Sequence, residues 1–216
     1  MKTCRLCQQN IRPKKVTGDD GIAYDYCPHC HVVIAPIHEL PDATYEKSRY
    51  DLHDNRPDDA GYIAFLSRAI NMASPYIHAE SNILDFGCGP SPVLCMEVEK
   101  RFNCSCLAYD PFYQNVDIEG KAPYDLIFST EVFEHFHNPG ESIEQVVALL
   151  KDQGLLCIMT ELYNSLEQFQ TWYYTRDETH VTFYHKSTLG IFEHLFGMKL
   201  LETDGKRVHL FKKQKT

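Results

Sequence analysis

The sequence lacks any long apolar run. No hydrophobic stretch among its 216 residues approaches the roughly 18–20 residues that a membrane-spanning helix needs. Its first residues, from Met1 to Arg5, lead into polar sequence rather than into the apolar segment of a secretory signal. We therefore expect a cytoplasmic protein that has no membrane as a partner.

Positive charge is also scarce. The chain has 21 lysines and arginines against 30 aspartates and glutamates, which gives a formal net charge of −9. Because binding to phosphates needs a positive field, a surface that binds nucleic acid over its whole extent is excluded. A local basic cluster remains near the N-terminus, so a nucleic-acid partner stays open but is not favoured. Its members are Lys2, Arg5, Arg12, Lys14 and Lys15.

A disulfide framework is the third feature that the sequence lacks. Five of the nine cysteines are scattered through apolar or glycine-rich segments, at Cys88, Cys95, Cys104, Cys106 and Cys157. An odd number of cysteines in a chain of this size is typical of reduced thiols together with a metal site. We expect free thiols at these five positions.

The other four cysteines form two pairs near the N-terminus. Cys4-x2-Cys7 and Cys27-x2-Cys30 are separated by 19 residues, a spacing typical of a tetrahedral Cys4 zinc site. Four protein ligands leave no open coordination position, so the zinc is expected to be structural. A module of about 35 residues has too little core to fold without such a metal. The neighbouring His29 is expected to be an exposed residue rather than a ligand, and so is His31.

The composition divides the chain into three predicted parts. Residues 1–37 are rich in cysteine, proline and turn residues and are interpreted as the zinc module. Residues 38–58 are polar and interrupted by proline, as in a connector. Residues 59–216 alternate short apolar runs with amphipathic stretches. This alternation predicts an α/β domain with a Rossmann-like, mostly parallel sheet and helices on both of its faces.

A glycine-rich turn follows the first apolar strand of this domain. The strand Ile83-Leu84-Asp85-Phe86 leads into Gly87-Cys88-Gly89-Pro90. Glycines let the backbone turn sharply and approach a ligand closely. In open parallel sheets, ligands bind beyond the carboxyl ends of the strands. Asp110 closes the next predicted strand, about twenty residues later, where an acid can accept both hydroxyls of a ribose.

Together with YDLIFSTEVFEHF and GLLCIMT, these motifs resemble the class I S-adenosylmethionine-dependent methyltransferases, in the group with the ubiquinone-type O-methyltransferases. The resemblance covers roughly residues 60–212. It implies that S-adenosylmethionine is the cofactor, that Asp85, Gly87 and Gly89 line its methionine part, and that Asp110 holds its ribose. The further positions implied in cofactor binding are Phe86, Cys88, Pro111, Phe112, Ser129, Thr130 and Glu131.

One segment departs from the family pattern. Between Asp110 and Tyr124 the resembled enzymes have a helix and a strand, followed by an acid that contacts adenine. Here only 13 residues, PFYQNVDIEGKAP, intervene. That length is too short for both elements, so the adenine contact is not assigned. Phe112, Tyr113 and Val116 are candidates for an alternative adenine wall.

Two segments are candidates for the acceptor side. Glu131 and His135 follow an apolar strand, and a histidine oriented by carboxylates can serve as a general base. A buried, hydrogen-bonded core histidine is the alternative interpretation. Residues 180–184 resemble the H-x-x-F-Y element that many of these enzymes place over the substrate, which implies catalytic roles for His180 and Tyr184.

Four further positions are weaker candidates. Trp172 and His185 are predicted to be substrate-wall residues, although aromatic residues in such a segment are more often packing residues. Tyr50 and His53 of the connector are predicted to close over the cofactor.

The leading hypothesis is therefore a methyltransferase that acts on an O or C nucleophile of a small-molecule acceptor. A second hypothesis is an RNA or protein methyltransferase that uses the zinc module to dock its substrate. Similar Cys4 modules precede the methyltransferase domain in nucleotide-sugar C-methyltransferases and in ribosomal-RNA guanine methyltransferases. A third hypothesis is a non-catalytic Rossmann-like binding protein.

Overall fold

A computed structural model describes residues 1–52 and 55–215. Five short strands come first in the chain: β1 (Lys2–Thr3), β2 (Asn10–Ile11), β3 (Lys14–Thr17), β4 (Ala23–Tyr26) and β5 (Val33–Ile34). The next elements are α1 (Ala43–Tyr50), α2 (Ala60–Ala73), β6 (Asn82–Phe86), α3 (Val93–Phe102), β7 (Ser105–Tyr109) and β8 (Tyr124–Thr130). The remaining elements are α4 (Pro139–Ala148), β9 (Leu150–Met159), β10 (Leu162–Tyr163), α5 (Leu166–Phe169), β11 (Thr182–His185), α6 (Lys186–Gly190), α7 (Phe192–Phe196), β12 (Met198–Thr203) and β13 (Val208–Lys213).

The central sheet has six strands in the order β12-β13-β9-β8-β6-β7. The four strands β7, β6, β8 and β9 are parallel, and β13 and β12 continue the sheet antiparallel. The sequences of the parallel strands are mostly continuous apolar runs because both faces of the sheet are covered. The predicted α/β class and mostly parallel sheet are confirmed.

Helices cover both faces of this sheet, as the sequence predicts. On one face, Leu66 and Ile70 of α2 and Val98 of α3 pack against strand residues such as Phe128. On the other face, α4, α6 and α7 contribute to a second apolar cluster that includes Ile143. Among the described residues, no helix is long and apolar enough to cross a membrane.

The cysteine-bearing N-terminal part joins the rest of the chain through a second sheet, in the order β10-β11-β5-β4-β3. Strand β5 pairs antiparallel with β11, with Ile34 opposite Thr182 and Val33 opposite Phe183. The amide of Ala35 extends this pairing by donating to the carbonyl of Val181 at 2.8 Å. Residues predicted as a separate module therefore share a sheet with the predicted methyltransferase domain.

The segment after Asp110 contains neither a helix nor a strand over residues 111–123, as its length predicts. Only an isolated bridge joins Asp110 to Gln114. Strand β7 is consequently one of the two edges of the central sheet, and β12 is the other.

The prediction of five free thiols is wrong at two positions. Cys95 of α3 and Cys106 of β7 form a disulfide, with their Cα atoms 5.1 Å apart. Helix α3 packs directly against the strand that follows it, and this packing brings together two cysteines 11 residues apart. Cys88, Cys104 and Cys157 are free, as expected.

Candidate functional site

A cavity of about 520 Å³ opens beyond the carboxyl ends of β6, β7 and β8. This is the place where ligands bind in open parallel sheets. The strand ends contribute Asp85, Asp110 and Thr130, and helix α1 contributes Glu46 and Tyr50 from the opposite side. Helices α2 and α3 supply further wall residues, at Tyr62, Phe65, Leu66 and Leu94.

The glycine-rich turn forms one wall of the cavity. Both glycines have positive φ angles, +86° at Gly87 and +67° at Gly89, which side chains rarely adopt. A Cβ atom at Gly87 would lie 2.3 Å from a methyl carbon of Val132, so this position also sets how closely the next loop approaches. At Gly89 a Cβ atom would have no neighbour within 4 Å. The turn therefore gives a ligand close access to the backbone.

Asp85 lies at the bottom of the cavity and is only 2% exposed. Its Oδ1 atom is buried and has no hydrogen-bond partner among the described residues. Burial, together with the charge of Asp110, raises the pKa of Asp85 to about 7. A buried carboxyl oxygen that lacks a donor suits a ligand with an ammonium group.

Asp110 ties the turn to the shortened segment. Its Oδ2 accepts a hydrogen bond from the amide of Gly89 at 3.0 Å, and its Oδ1 accepts one from the amide of Phe112 at 2.8 Å. The amide of Tyr113 also donates to Oδ1, at 3.3 Å. Because a carboxylate can accept about four hydrogen bonds, Asp110 retains capacity for about one more, on Oδ2. The carboxylate lines the cavity, as the ribose role requires.

Some of the residues predicted near the adenine line the cavity, and others do not. Pro111 and Phe112 line the cavity, together with Tyr50, whose ring centroid lies 5.9 Å from that of Phe112. Tyr113 and Val116 are not among the lining residues, and the hydroxyl of Tyr113 donates to Asp51 at 2.6 Å. His53 lies outside the described residues.

Only two of the three predicted residues at the end of β8 line the cavity. Thr130 and Glu131 line the cavity, whereas Ser129 is fully buried and donates its hydroxyl to the carbonyl of Phe86 at 3.1 Å. Phe86 and Cys88, two further candidates for cofactor binding, both line the cavity. Ser129 therefore supports the turn from behind and does not face the ligand space.

Glu131 pairs with an arginine that sequence reasoning missed. Its Oε2 lies 2.5 Å from a guanidinium nitrogen of Arg207, and Arg207 also pairs with the buried Glu161. Burial and the charge of Glu134 raise the pKa of Glu131 to about 7, although Arg207 opposes the shift. No short-range signal marks this contact, because Arg207 lies 76 residues after Glu131.

Glu134 lies beneath the cavity and is fully buried. It accepts a hydrogen bond from the hydroxyl of Tyr174. Burial raises its pKa to about 7. The sequence analysis predicted no catalytic or cofactor-binding role for either residue, although Glu134 belongs to the motif on which the resemblance rests.

His135 and His180 both line the cavity, and their ring centroids lie 4.9 Å apart. Their Nδ1 atoms lie 2.9 Å from the carbonyl of Thr179 and 2.7 Å from the carbonyl of Tyr174. A carbonyl only accepts hydrogen bonds, so the proton of each neutral ring resides on Nδ1 and Nε2 carries the lone pair. Burial lowers the pKa of His180, although the nearby Asp177 opposes the shift.

Three other candidates lie away from the cavity. Tyr184 is fully buried in strand β11 and donates its hydroxyl to the carbonyl of Phe133 at 3.0 Å. Trp172 packs in an apolar cluster with Phe169. His185 accepts a hydrogen bond from the amide of Ser187 and so caps α6. None of the three is among the residues that line the cavity.

The four paired cysteines lie together and are buried. Their sulfur atoms are separated by 3.6 Å between Cys4 and Cys30 and by 3.8 Å between Cys7 and Cys27. A tetrahedral zinc ion with bonds of about 2.3 Å requires sulfur atoms roughly 3.8 Å apart, so the four thiolates fit this metal. The side chain of His29 is exposed, as expected. His31 is half-buried instead, because its Nδ1 atom forms a hydrogen bond of 2.7 Å with the hydroxyl of Tyr26.

Comparison with known proteins gives a family. The model of a methyltransferase-domain family matches residues 53–203, which is well over half of the chain. No curated protein sequence matches the chain significantly.

Several solved structures have a similar fold. The fold resembles that of coclaurine N-methyltransferase bound to N-methylheliamine and SAH, at 19% identity and a TM-score of 0.52, over 71% of this chain and 53% of that chain. An O-methyltransferase family protein from Burkholderia thailandensis is 14% identical, with a TM-score of 0.53 over 82% of this chain and 65% of that chain. The cyclopropane synthase MmaA2 from Mycobacterium tuberculosis is 16% identical, with a TM-score of 0.54 over 76% and 77%. This chain thus spans about half the length of the first protein and just under two thirds of the second.

Proposed function

We propose that this chain, which belongs to the methyltransferase-domain family and has the class I fold, transfers a methyl group from S-adenosylmethionine to an O or C nucleophile of a small molecule. The observation that carries the proposal is the convergence of Asp85, the Gly87–Gly89 turn and Asp110 on one cavity.

The cavity residues suit the two polar ends of the cofactor. The partnerless oxygen of Asp85 is proposed to accept from the ammonium of the methionine part, and Oδ2 of Asp110 to accept from a ribose hydroxyl. The rings of Tyr50 and Phe112 are proposed to enclose the adenine, in place of the family's usual contact. The bound cofactor supplies an electrophilic methyl group on its sulfonium sulfur.

The histidine pair is proposed to serve the acceptor. Methyl transfer is an in-line displacement, so holding the nucleophile in position supplies much of the acceleration. A hydroxyl or carbon acid must also lose a proton, and the Nε2 lone pair of His180, beside His135, can accept it. Backbone carbonyls fix both rings in the required tautomer. Glu131 is proposed to face the same space, oriented by Arg207. Tyr184 is not carried into the proposal, because its hydroxyl faces the backbone.

The N-terminal cysteines are proposed to hold a zinc ion. The module that this ion stabilises is proposed to be structural and not to dock RNA. Lys2 and Lys15 of the basic cluster both pair with Asp25, at 2.9 Å and 2.8 Å. Arg5 donates to the carbonyl of Ala35. Three of the five charges of the cluster are therefore engaged within the module, which leaves the exposed Arg12 and Lys14, so the nucleic-acid hypothesis is not favoured.

Calorimetric titration of S-adenosylhomocysteine (SAH) and S-adenosylmethionine into the zinc-loaded protein tests the proposal. We expect micromolar binding to the wild type and a loss of at least tenfold in Asp110→Asn. Glu119→Gln, which removes an exposed carboxylate from the same segment, is the matched control and should bind like the wild type. A well-folded wild type that binds neither compound would favour the non-catalytic hypothesis.

A further inference from the structure

We infer that the methyl acceptor is uncharged or positively charged, because the described residues that line the acceptor end of the cavity include carboxylates and imidazoles but no lysine or arginine. Phosphorylated and carboxylated compounds are excluded as acceptors. This inference rests on the proposed function, since it concerns the second substrate of the same site.

The charged residues that line the cavity are mainly acidic. Over residues 1–52 and 55–215, the cavity wall contains five carboxylates and no basic side chain other than histidine. The carboxylates are Glu46, Asp85, Asp110, Glu131 and Asp177. Asp85 and Asp110 are assigned to the cofactor end. Of the other three, Asp177 lies 3.9 Å from Nε2 of His180, Glu131 pairs with Arg207, and Glu46 pairs with His137 at 3.1 Å.

The nearest guanidinium does not offset this charge. Arg207 forms ion pairs with Glu131 and Glu161, so two carboxylates share one positive charge. Its side chain is only 12% exposed and is not part of the cavity wall. Its guanidinium carbon lies 5.7 Å from the ring centroid of Phe65 and 5.5 Å from that of Tyr174. The arginine is therefore enclosed and cannot receive an anionic substrate.

Basic residues of helix α1 do not supply an anion site either. Lys47 pairs with Asp51 at 2.9 Å and lies over the ring of Tyr113, outside the cavity wall. Arg49 is likewise not a lining residue. A phosphate next to Glu131 or Asp177 would meet like charge, whereas buried phosphate sites use arginine, lysine or backbone amides.

The same wall suits neutral or cationic compounds. The rings of Tyr50, Tyr62, Phe65 and Phe136 line the cavity beside the carboxylates. Aromatic faces attract ammonium groups and pack against planar rings. The inference therefore favours phenols or enols that lack phosphate and carboxylate, with or without an amino group elsewhere in the molecule. It argues against the nucleotide-sugar and RNA substrates that the cysteine module suggests by resemblance.

Sinefungin provides a direct probe, because it is an SAH analogue with a protonated amine near the position of the transferred methyl. We expect calorimetry of the zinc-loaded protein to give at least tenfold tighter binding for sinefungin than for SAH, because Coulomb attraction near a protein surface is of that order. Glu131→Gln and Asp177→Asn should each reduce this ratio several-fold. Glu141→Gln on the exposed side of α4 is the control and should preserve it.

A second measurement addresses anions and metals. In the SAH complex, the NMR signals of His135 and His180 should not change when millimolar inorganic phosphate is added. A saturable shift of either signal would overturn the inference. The titrations are repeated with Mg²⁺, because Glu134, His135 and His180 bring ligand atoms within 4.8 Å of one another. A preference for sinefungin that disappears with Mg²⁺ would also overturn it, since a bound cation would reverse the field.

The outcomes separate this inference from the proposed function. Tight SAH binding with no preference for sinefungin overturns the inference alone. Absence of binding by both compounds overturns the proposed function and the inference with it.

Discussion

Gly140, the second residue of α4, provides a test of how the cysteine module is fixed to the methyltransferase domain. Its amide donates to the carbonyl of Arg5 at 2.9 Å. A Cβ atom here would lie 2.7 Å from the carbonyl oxygen of Leu6 and 2.8 Å from that of Arg5. Both oxygens belong to the backbone between Cys4 and Cys7, so they cannot move without moving the module.

We expect Gly140→Ala to lower the free energy of unfolding by about 1–3 kcal/mol, the usual cost of adding a methyl group where there is no space. The hydrogen bond to Arg5, worth about 0.5–1.5 kcal/mol, would also weaken. The higher helix propensity of alanine offsets at most about 1 kcal/mol. Because the φ angle of Gly140 is not positive, alanine adds no backbone strain, and the effect measures the contact alone.

The assay is urea unfolding followed by tryptophan fluorescence. Trp172 is the only tryptophan of the chain and is buried in a cluster with Val16 and Val33 of the module, so its emission reports this packing. Gly190→Ala is the matched control. It lies in α6, and a Cβ atom there would have no neighbour within 4 Å. This variant should be unchanged or more stable by up to about 1 kcal/mol. Equal midpoints for Gly140→Ala and the wild type would refute the close approach of the two backbones.

Three further predictions follow. The pKa of Asp85 is about 7 in the folded protein against an ordinary 3.8, so its contribution to stability is present at low pH and is lost as the pH rises through 7. In unfolding experiments without ligand, Asp85→Asn should remove this part of the pH dependence of the free energy of unfolding, which is at most about 4 kcal/mol. An unchanged pH profile would contradict the raised pKa of Asp85. Cys30→Ser should lose the metal, as measured by plasma emission spectroscopy, and should shift the emission of Trp172, because a four-thiolate site does not tolerate loss of a ligand; retention of one zinc per chain would count against the site. His180→Gln should lower the rate of methyl transfer at least tenfold. Tyr184→Phe should keep a similar kcat and lower the free energy of unfolding by about 1–3 kcal/mol, because the carbonyl of Phe133 loses its donor. A larger loss of kcat in Tyr184→Phe than in His180→Gln would indicate a catalytic role for Tyr184.

Elements formed by residues close in the chain could be predicted from the sequence. Apolar runs and helical periodicity predicted the α/β sheet, and the Gly87–Gly89 turn with Asp85 marked the end of β6. The paired cysteines predicted a four-sulfur cluster from their spacing, and the structure brings these sulfurs together. In each case a local requirement for a residue type, such as a positive φ angle or a thiolate ligand, is visible in the sequence itself.

The H-x-x-F-Y segment shows where that reasoning stops. The sequence analysis predicted catalytic roles for His180 and Tyr184 alike. In the structure, His180 precedes β11 and faces the cavity, while Tyr184 lies within the strand and points at the backbone of residue 133. Neighbouring positions differ in direction according to where the strand begins and which face is covered, and neither is determined by the motif.

The contacts that complete the site depend on the tertiary structure. Arg207 reaches Glu131 and Glu161 across 76 and 46 residues, and β5 of the cysteine module pairs with β11, which holds the segment after His180. The disulfide between Cys95 and Cys106 likewise requires α3 to lie on β7. Composition and spacing determined which chemical groups the chain carries. Only the strand order and the packing of distant segments decided which of those groups meet, because long-range pairings arise from the shared burial of apolar surface and leave no local signal.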